Sequence, residues 1–95
     1  MFYINVWLTV KNSDDVETVR GLLTQAAGLS QAEPGCMRFE VYQSESEPTK
    51  FLLSEHWAQK SDWELHRTGK AYMEVYAPQV LPLVERQGHI CKKVM

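Results

Sequence analysis

The segment 2–10 constrains the fold of this chain most strongly, because it reads as a strand that is rich in apolar groups on both faces. One face carries only apolar side chains, those of Phe2, Ile4, Val6, Leu8 and Val10. The other face mixes aromatic and polar side chains, those of Tyr3, Asn5, Trp7 and Thr9. An antiparallel strand with one face in water usually keeps that face polar. The pattern therefore predicts a strand that is covered on both sides.

Two helical regions are predicted from capping residues and from apolar residues at helical spacing. The first begins at a cap in 13–14 and ends at Gly28. The second begins at a capping box in 61–64 and reaches about Gly69. A further helical piece follows from 70 to 77 and ends before a proline.

Three more strands are predicted, and they complete one α+β domain over residues 1–95. Alternating apolar residues mark 36–43 and 51–57, which a polar, proline-containing loop joins, and 89–94 forms a last short strand. The order β-α-β-β-α-β is the ferredoxin-like arrangement, with sheet order 4-1-3-2 and helices on one face. The other face of the sheet then needs a cover. We expect a second copy to provide it, in a two-fold homodimer.

Composition excludes several classes of protein. Ten basic residues stand against twelve acidic ones, for a net charge of −2, and this balance does not favour nucleic acid as a partner. No apolar run approaches the ~20 residues of a membrane span, and no signal peptide is recognisable, so we expect a cytoplasmic protein. The histidines and cysteines lack metal-binding spacing, and we predict no metal site. Cys36 and Cys91 fall on opposite edge strands, too far apart for a disulfide, and are interpreted as reduced.

Three chemically versatile side chains are predicted to meet at one junction of sheet and helix. Glu55 and Trp57 end the third strand, and His66 lies on the helix that follows. A carboxylate, an indole and an imidazole at such a junction could form a small-molecule site. They could equally be ordinary core, since a lone tryptophan or histidine is often a packing residue.

The order and spacing of these segments resemble the antibiotic biosynthesis monooxygenase domain, a dimeric α+β barrel. The resemblance covers nearly the whole chain and is most specific in 33–43, in the strand 51–57, and in His66, nine residues after Trp57. Relatives in this family include quinol and polyketide monooxygenases that use no metal or flavin, haem-degrading enzymes, and an isomerase of a phosphorylated autoinducer. The resemblance implies fold and dimerisation, whereas a shared fold does not specify the substrate.

The resemblance also implies roles for individual residues. His66 would be a proton acceptor, Asn5 would face the cleft between sheet and helices and bond a substrate oxygen or dioxygen, and Trp57 would orient a flat ring. The substrate-binding candidates are Arg38, Tyr72, Trp7 and Glu55. Each has a structural alternative: a cross-strand ion pair for Arg38, a strand-end salt bridge for Glu55, and core packing for the aromatic residues.

The implied function is a cofactor-independent monooxygenase that oxidises a quinol- or polyketide-like aromatic with dioxygen. Three alternatives stay open. The first is an isomerase or processing enzyme for a small phosphorylated dicarbonyl, for which Arg38 would be the anion-binding residue. The others are a haem-degrading monooxygenase and a non-catalytic small-molecule-binding dimer. One departure from the family bears on activity. Relatives often carry Thr and His after the helix histidine, where this chain has Gly69 and Ala71.

Overall fold

Four antiparallel strands form one sheet in the computed structural model, which describes residues 1–95. The strands are β1 (Phe2–Val10), β2 (Cys36–Gln43), β3 (Lys50–Trp57) and β4 (Val84–Cys91). Their order, β2-β3-β1-β4, confirms the predicted topology. The predicted bounds of β4 were wrong. This strand begins well before His89 because it pairs along most of β1, from Val10 opposite Val84 to Tyr3 opposite Cys91.

Three helices accompany the sheet: α1 (Val16–Gln31), α2 (Lys60–His66) and α3 (Ala71–Val80). The predicted end of α1 at Gly28 was wrong, since the helix continues for three more residues to Gln31. Ala26, Ala27 and Ser30 are buried on the face of α1 that packs inward, and this burial outweighs the modest cost of a helical glycine. The predicted cap in 13–14 was also wrong: a 3₁₀ turn over Ser13–Asp15 precedes α1, and the side chain of Asn12 caps that turn by accepting from the Asp14 N–H at 2.9 Å. The N-cap of α1 itself is Asp15, which makes no side-chain cap bond.

The second helical region also begins differently from the prediction. Its N-cap is Gln59, whose backbone N–H donates to the Asp62 carboxylate at 3.1 Å. The capping box therefore spans 59–62, two residues before the predicted box in 61–64. The piece that follows α2 is a π-helix that includes Pro78 instead of ending before it. Proline removes one backbone donor there, and the burial of Val75, Tyr76 and Val80 compensates.

The core lies between the helices and one face of the sheet. Its largest fully buried side chains are Trp57, Phe51, Leu8, Leu23, Val6, Val19 and Val80. The opposite face, here called the outer face, is not covered by this chain, and Trp7 on it is 42% exposed. The register of β2 shifts between Cys36 and Arg38, so Met37 is exposed although the strand residue two positions later, Phe39, is buried.

The two cysteines lie on the opposite edge strands of the sheet, as predicted, and both are free. Burial, together with the nearby Glu33 carboxylate, raises the pKa of the Cys36 thiol to about 11. This thiol therefore stays protonated at neutral pH and is a poor nucleophile. None of the helices has the length and apolar character to cross a membrane.

Gly35 occupies the one turn in which glycine is required, since its φ is +79° and a Cβ there would lie 2.2 Å from Cγ of Asp62. We expect Gly35→Ala to lower the free energy of unfolding by ~1–3 kcal/mol through backbone strain. If the new Cβ also displaces Asp62 from its capping contact at the start of α2, the free energy of unfolding should fall by about 1 kcal/mol more. Urea denaturation measures both effects together.

Gly28→Ala is the matched control for this change. A Cβ at Gly28 meets nothing within 4 Å, and the residue is helical. This substitution should raise stability by ~0.5–1 kcal/mol. An equal response of the two variants would show that the turn at Gly35 tolerates a side chain.

Candidate functional site

A cavity of about 310 Å³ lies between the sheet and the helices. Eleven of its seventeen lining residues are hydrophobic, so it suits a ligand with a large apolar body and a few polar groups. The polar and aromatic side chains that line it are Ser30, Phe39, Glu55, Trp63, His66, Arg67, Tyr72, Tyr76 and Arg86. Each of the four strands and three helices contributes to the lining, which explains why the cavity cannot be read from any one segment.

His66, the last residue of α2, is buried and hydrogen-bonded to a carboxylate. Its Nδ1 lies 2.5 Å from Oε1 of Glu33, in the loop between α1 and β2. An ionised carboxylate only accepts hydrogen bonds, so Nδ1 donates to Glu33 and Nε2 is the ring nitrogen that can take up a proton from another group. No protein group forms a hydrogen bond with Nε2. Every fully buried side-chain nitrogen or oxygen has a hydrogen-bond partner, so Nε2 is not fully buried. Nε2 is therefore open to the cavity that His66 lines.

Gly69 explains how Glu33 comes so close to the helix. A Cβ at Gly69 would lie 2.7 Å from Oε2 of Glu33 and 3.3 Å from the His66 carbonyl oxygen. A larger side chain would displace the carboxylate that orients the imidazole. The departure from relatives at Gly69 is therefore linked to the Glu33–His66 pair of this chain.

Glu55 and Trp57 lie on the core side of β3, next to His66 as predicted. The Trp57 indole Nε1–H donates to Oε1 of Glu55 at 3.1 Å, and Glu55 is only 5% exposed. Burial raises the pKa of the Glu55 carboxyl, although the Trp57 N–H and the charges of His66 and Arg86 favour its ionised form. Glu55 thus keeps its proton to a higher pH than an exposed glutamate would.

Trp57 does not line the cavity, contrary to the prediction that its ring is a substrate-orienting wall. It is 0% exposed, and its ring centroid lies 4.8 Å from that of His66. Its indole also contacts Phe39 edge-on, at 6.5 Å between centroids. Trp57 therefore packs against the imidazole without lining the cavity. Residues on the cavity surface would contact a ligand directly.

Asn5 does not face the cleft between sheet and helices, and that prediction was wrong. Strand residues alternate between faces, and the buried neighbours Ile4 and Val6 take the inner one. Asn5 therefore lies on the outer face, where its Nδ2 is 3.4 Å from Sγ of Cys91. The strand pattern could not decide this point, because it shows which residues share a face but not which face the helices cover.

Trp7 and Arg38 also lie away from the cavity. Trp7 is on the outer face of β1 with Asn5. Arg38 forms an ion pair with Glu40, with Nε 2.8 Å from Oε1, and this carboxylate also accepts a hydrogen bond from Tyr42. The structural alternative for Arg38, an ion pair at the sheet edge, is the one that the structure shows, but the pair lies within β2 and is not cross-strand as predicted.

Tyr72 lines the cavity from α3. Its ring centroid lies 6.1 Å from that of His66 and 5.4 Å from that of Tyr76, so the three rings form a row along one wall. Burial raises the pKa of the Tyr76 phenol, while the Arg86 guanidinium opposes this rise. Tyr76 is therefore neutral at physiological pH and can act only as a hydrogen-bonding group.

The side chains of this chain offer no group of three or more histidine, cysteine, aspartate or glutamate residues placed to hold a metal ion. The candidate site is therefore made of one histidine–glutamate pair, one buried carboxyl and a wall of aromatic rings.

Comparison with known proteins assigns the chain to a family. Residues 1–77 match the family model described as antibiotic biosynthesis monooxygenase. The chain belongs to this family. No curated protein sequence matches the chain significantly.

Solved structures of proteins from several organisms share the fold. A Nitrosomonas europaea protein named as a candidate antibiotic biosynthesis monooxygenase superposes with a TM-score of 0.87 at 25% identity, over 98% of this chain and 99% of its own. A Deinococcus radiodurans protein named in the same way gives 0.79 at 18% identity, over 98% and 95%. A conserved protein from Methanosarcina mazei Go1 gives 0.84 at 21% identity, over 98% and 94%.

Three polar residues of this antibiotic biosynthesis monooxygenase family member were missed by sequence analysis: Glu33, Arg67 and Arg86. Glu33 meets His66 across 33 positions of sequence, which no periodicity reports. Arg67 directly follows His66, and Arg86 lies on β4, whose start was placed too late in the chain. A correct start at Val84 would have put Arg86 on the same face as Val84, toward the helices.

Proposed function

We propose that this protein is a monooxygenase that oxidises an electron-rich aromatic carrying a phenolic or enolic hydroxyl, using dioxygen and neither metal nor flavin. The family membership supports a monooxygenase-type role. The observation that carries the finer proposal is the Glu33–His66 pair, which directs Nε2 of the imidazole into a cavity lined by aromatic rings. This is the geometry of a general base whose tautomer is set by a carboxylate.

In the first step, the substrate hydroxyl gives its proton to Nε2 of His66, and the Glu33 carboxylate stabilises the imidazolium that forms. The substrate anion then passes one electron to dioxygen, which gives superoxide and a substrate radical. These two combine at a ring carbon to form a peroxide, which takes up one proton. Loss of water from that carbon leaves a carbonyl group, so one oxygen atom enters the product and the other leaves as water.

Glu55 is placed to handle the second proton transfer. Its Oε1 is held by the Trp57 indole, it lines the cavity, and burial raises the pKa of its carboxyl, so a proton is available there at higher pH than on a surface glutamate. We assign to it the donation of a proton to the departing oxygen as the O–O bond breaks. The resulting carboxylate then takes up the proton that leaves the C–H bond of the same ring carbon, so no net proton is consumed. The rings of Tyr72 and Tyr76 would confine the aromatic substrate between His66 and this carboxyl.

Oxygen consumption with a panel of quinols and polyketide-like phenols tests the proposal. We expect at least one compound to increase oxygen uptake well above its rate of spontaneous oxidation, with one atom of ¹⁸O₂ in the quinone product. Boiled protein provides the control. No increase with any compound, or product that contains oxygen only from water, would count against a monooxygenase.

No specific observation favours the other candidate functions. The isomerase alternative depended on Arg38, which is paired with Glu40 on the sheet surface and does not line the cavity. A non-catalytic binding protein would use the same cavity, and the oxygen assay separates it because ligands would bind without oxygen uptake.

We further propose that two copies pair through the outer face, where Trp7 is 42% exposed at the centre of the sheet. Sedimentation should give a particle of twice the chain mass of 11.0 kDa at micromolar concentration. Trp7→Lys should shift it toward monomer, whereas Leu65→Lys, an exposed apolar residue on α2, should not. A wild-type monomer would contradict the pairing.

A further inference from the structure

We infer that the ligand of this cavity is an aromatic that carries a carboxylate, bound by Arg67 and Arg86. The inference deepens the proposed function and rests on the same site, because it names the class of substrate. The guanidinium is the side chain best matched to a carboxylate, since its parallel N–H groups can engage both oxygens at once.

The four arginines of the chain divide into two pairs. The two outside the cavity have carboxylate partners: Arg20 lies 3.1 Å from Glu17, and Arg38 lies 2.8 Å from Glu40. The two that line the cavity, Arg67 and Arg86, have no carboxylate within 4.0 Å. The cations without a partner are therefore those that face the candidate ligand.

The carboxyl groups nearest the cavity are hydrogen-bonded to other side chains and form no ion pair with these cations. Glu33 is engaged by Nδ1 of His66, and Glu55 is engaged by the indole of Trp57. Burial also raises the pKa of Glu55, which favours its neutral form. The cavity thus presents two guanidinium groups that form no ion pair within the protein, and the carboxylate of a ligand can bind them directly.

Both guanidinium groups are also positioned before any ligand binds. Cζ of Arg67 lies 5.2 Å from the ring centroid of Trp63 and 5.6 Å from that of Tyr72. Arg86 lies over Gly88, where a Cβ would come within 2.7 Å of both terminal nitrogens. Packing on the flat face of a guanidinium leaves in-plane N–H groups available, and the Arg86 guanidinium directs one edge at the Tyr76 phenol and keeps others for a ligand. Pre-organisation lowers the entropic cost of binding.

Binding of a matched pair of probes, 4-hydroxybenzoate and 4-hydroxybenzamide, tests the inference. Calorimetric titration without oxygen keeps the measurement independent of turnover. We expect the acid to bind about tenfold or more tightly than the amide, and the preference to weaken as salt is added. Arg67→Gln and Arg86→Gln should each reduce the affinity for the acid about tenfold and leave the affinity for the amide nearly unchanged.

Two further variants sharpen the test. Gly88→Ala should weaken binding of the acid in the same way, because it displaces the end of the Arg86 side chain without removing its charge. Arg20→Gln removes an arginine outside the cavity and should leave the preference intact. Equal affinity for acid and amide, no binding of either probe, or an unchanged preference in both Arg67→Gln and Arg86→Gln would overturn the inference. A retained preference without oxygen uptake by any aromatic acid would overturn the proposed function alone.

Discussion

His66→Gln is expected to lower kcat/KM of the oxygen-consuming reaction at least about 100-fold, which is the usual contribution of a general base. Glutamine has similar reach and can still bond the Glu33 carboxylate, but its amide cannot accept a proton at neutral pH. The assay is oxygen uptake with the most active compound of the phenol panel. Circular dichroism and the unfolding midpoint should show that the variant is folded. An unchanged rate in a folded variant would remove His66 from the mechanism.

Glu33 should act through His66, as a positioning residue, and the pair can be tested together. Glu33→Gln is expected to lower kcat about tenfold with little change in KM, because it no longer fixes the proton on Nδ1. Gly69→Ala should lower kcat in the same direction, since its Cβ would displace Glu33. In the double variant the two losses should not add, because both act on one contact. Additive losses would indicate that Gly69 matters for another reason.

Trp57→Ala is expected to produce the largest loss of stability, ~3–5 kcal/mol of the free energy of unfolding. The side chain is 0% exposed and fills the space between Phe39 and His66. Its removal leaves a cavity and also deprives Glu55 of its indole partner in a buried setting. Urea denaturation followed by circular dichroism gives the loss as a change in midpoint at constant slope.

Two controls separate packing from hydrogen bonding at this position. Trp57→Phe keeps most of the buried ring but not the N–H, so its loss of stability should be smaller, ~1–3 kcal/mol. Leu65→Ala removes an exposed apolar side chain from α2 and should cost well under 1 kcal/mol. A Trp57→Ala variant as stable as Leu65→Ala would show that the core behind His66 can close without the indole.

The strands were the most predictable part of the fold, because a period of two is visible over a few residues. The bounds of β1 and β2 agree with the prediction, and β3 begins one residue earlier, at Lys50. Helix ends were predicted less well. Glycine and proline usually end helices, but Gly28 lies inside α1 and Pro78 inside α3. Burial of neighbouring side chains stabilises these helices by more than the two residues destabilise them.

The candidate site was predictable only in part. Glu55, His66 and Tyr72 line the cavity as the order of elements indicated, whereas Asn5, Trp7 and Arg38 lie elsewhere. The alternation of β1 grouped Asn5 with Trp7 correctly, but a strand pattern is symmetric with respect to the two faces of a sheet. Which face the helices cover is decided by packing.

By itself, the sequence determined the element order, the sheet topology and the family, because periodicity, turns and spacing are properties of neighbouring residues. Only the tertiary structure decided which side chains share the cavity. Glu33 meets His66 across 33 positions of sequence, Glu55 becomes buried once the helices cover β3, and Arg67 and Arg86 reach one cavity from different segments. Their chemistry depends on distance and burial, which arise only when the helices pack on the sheet.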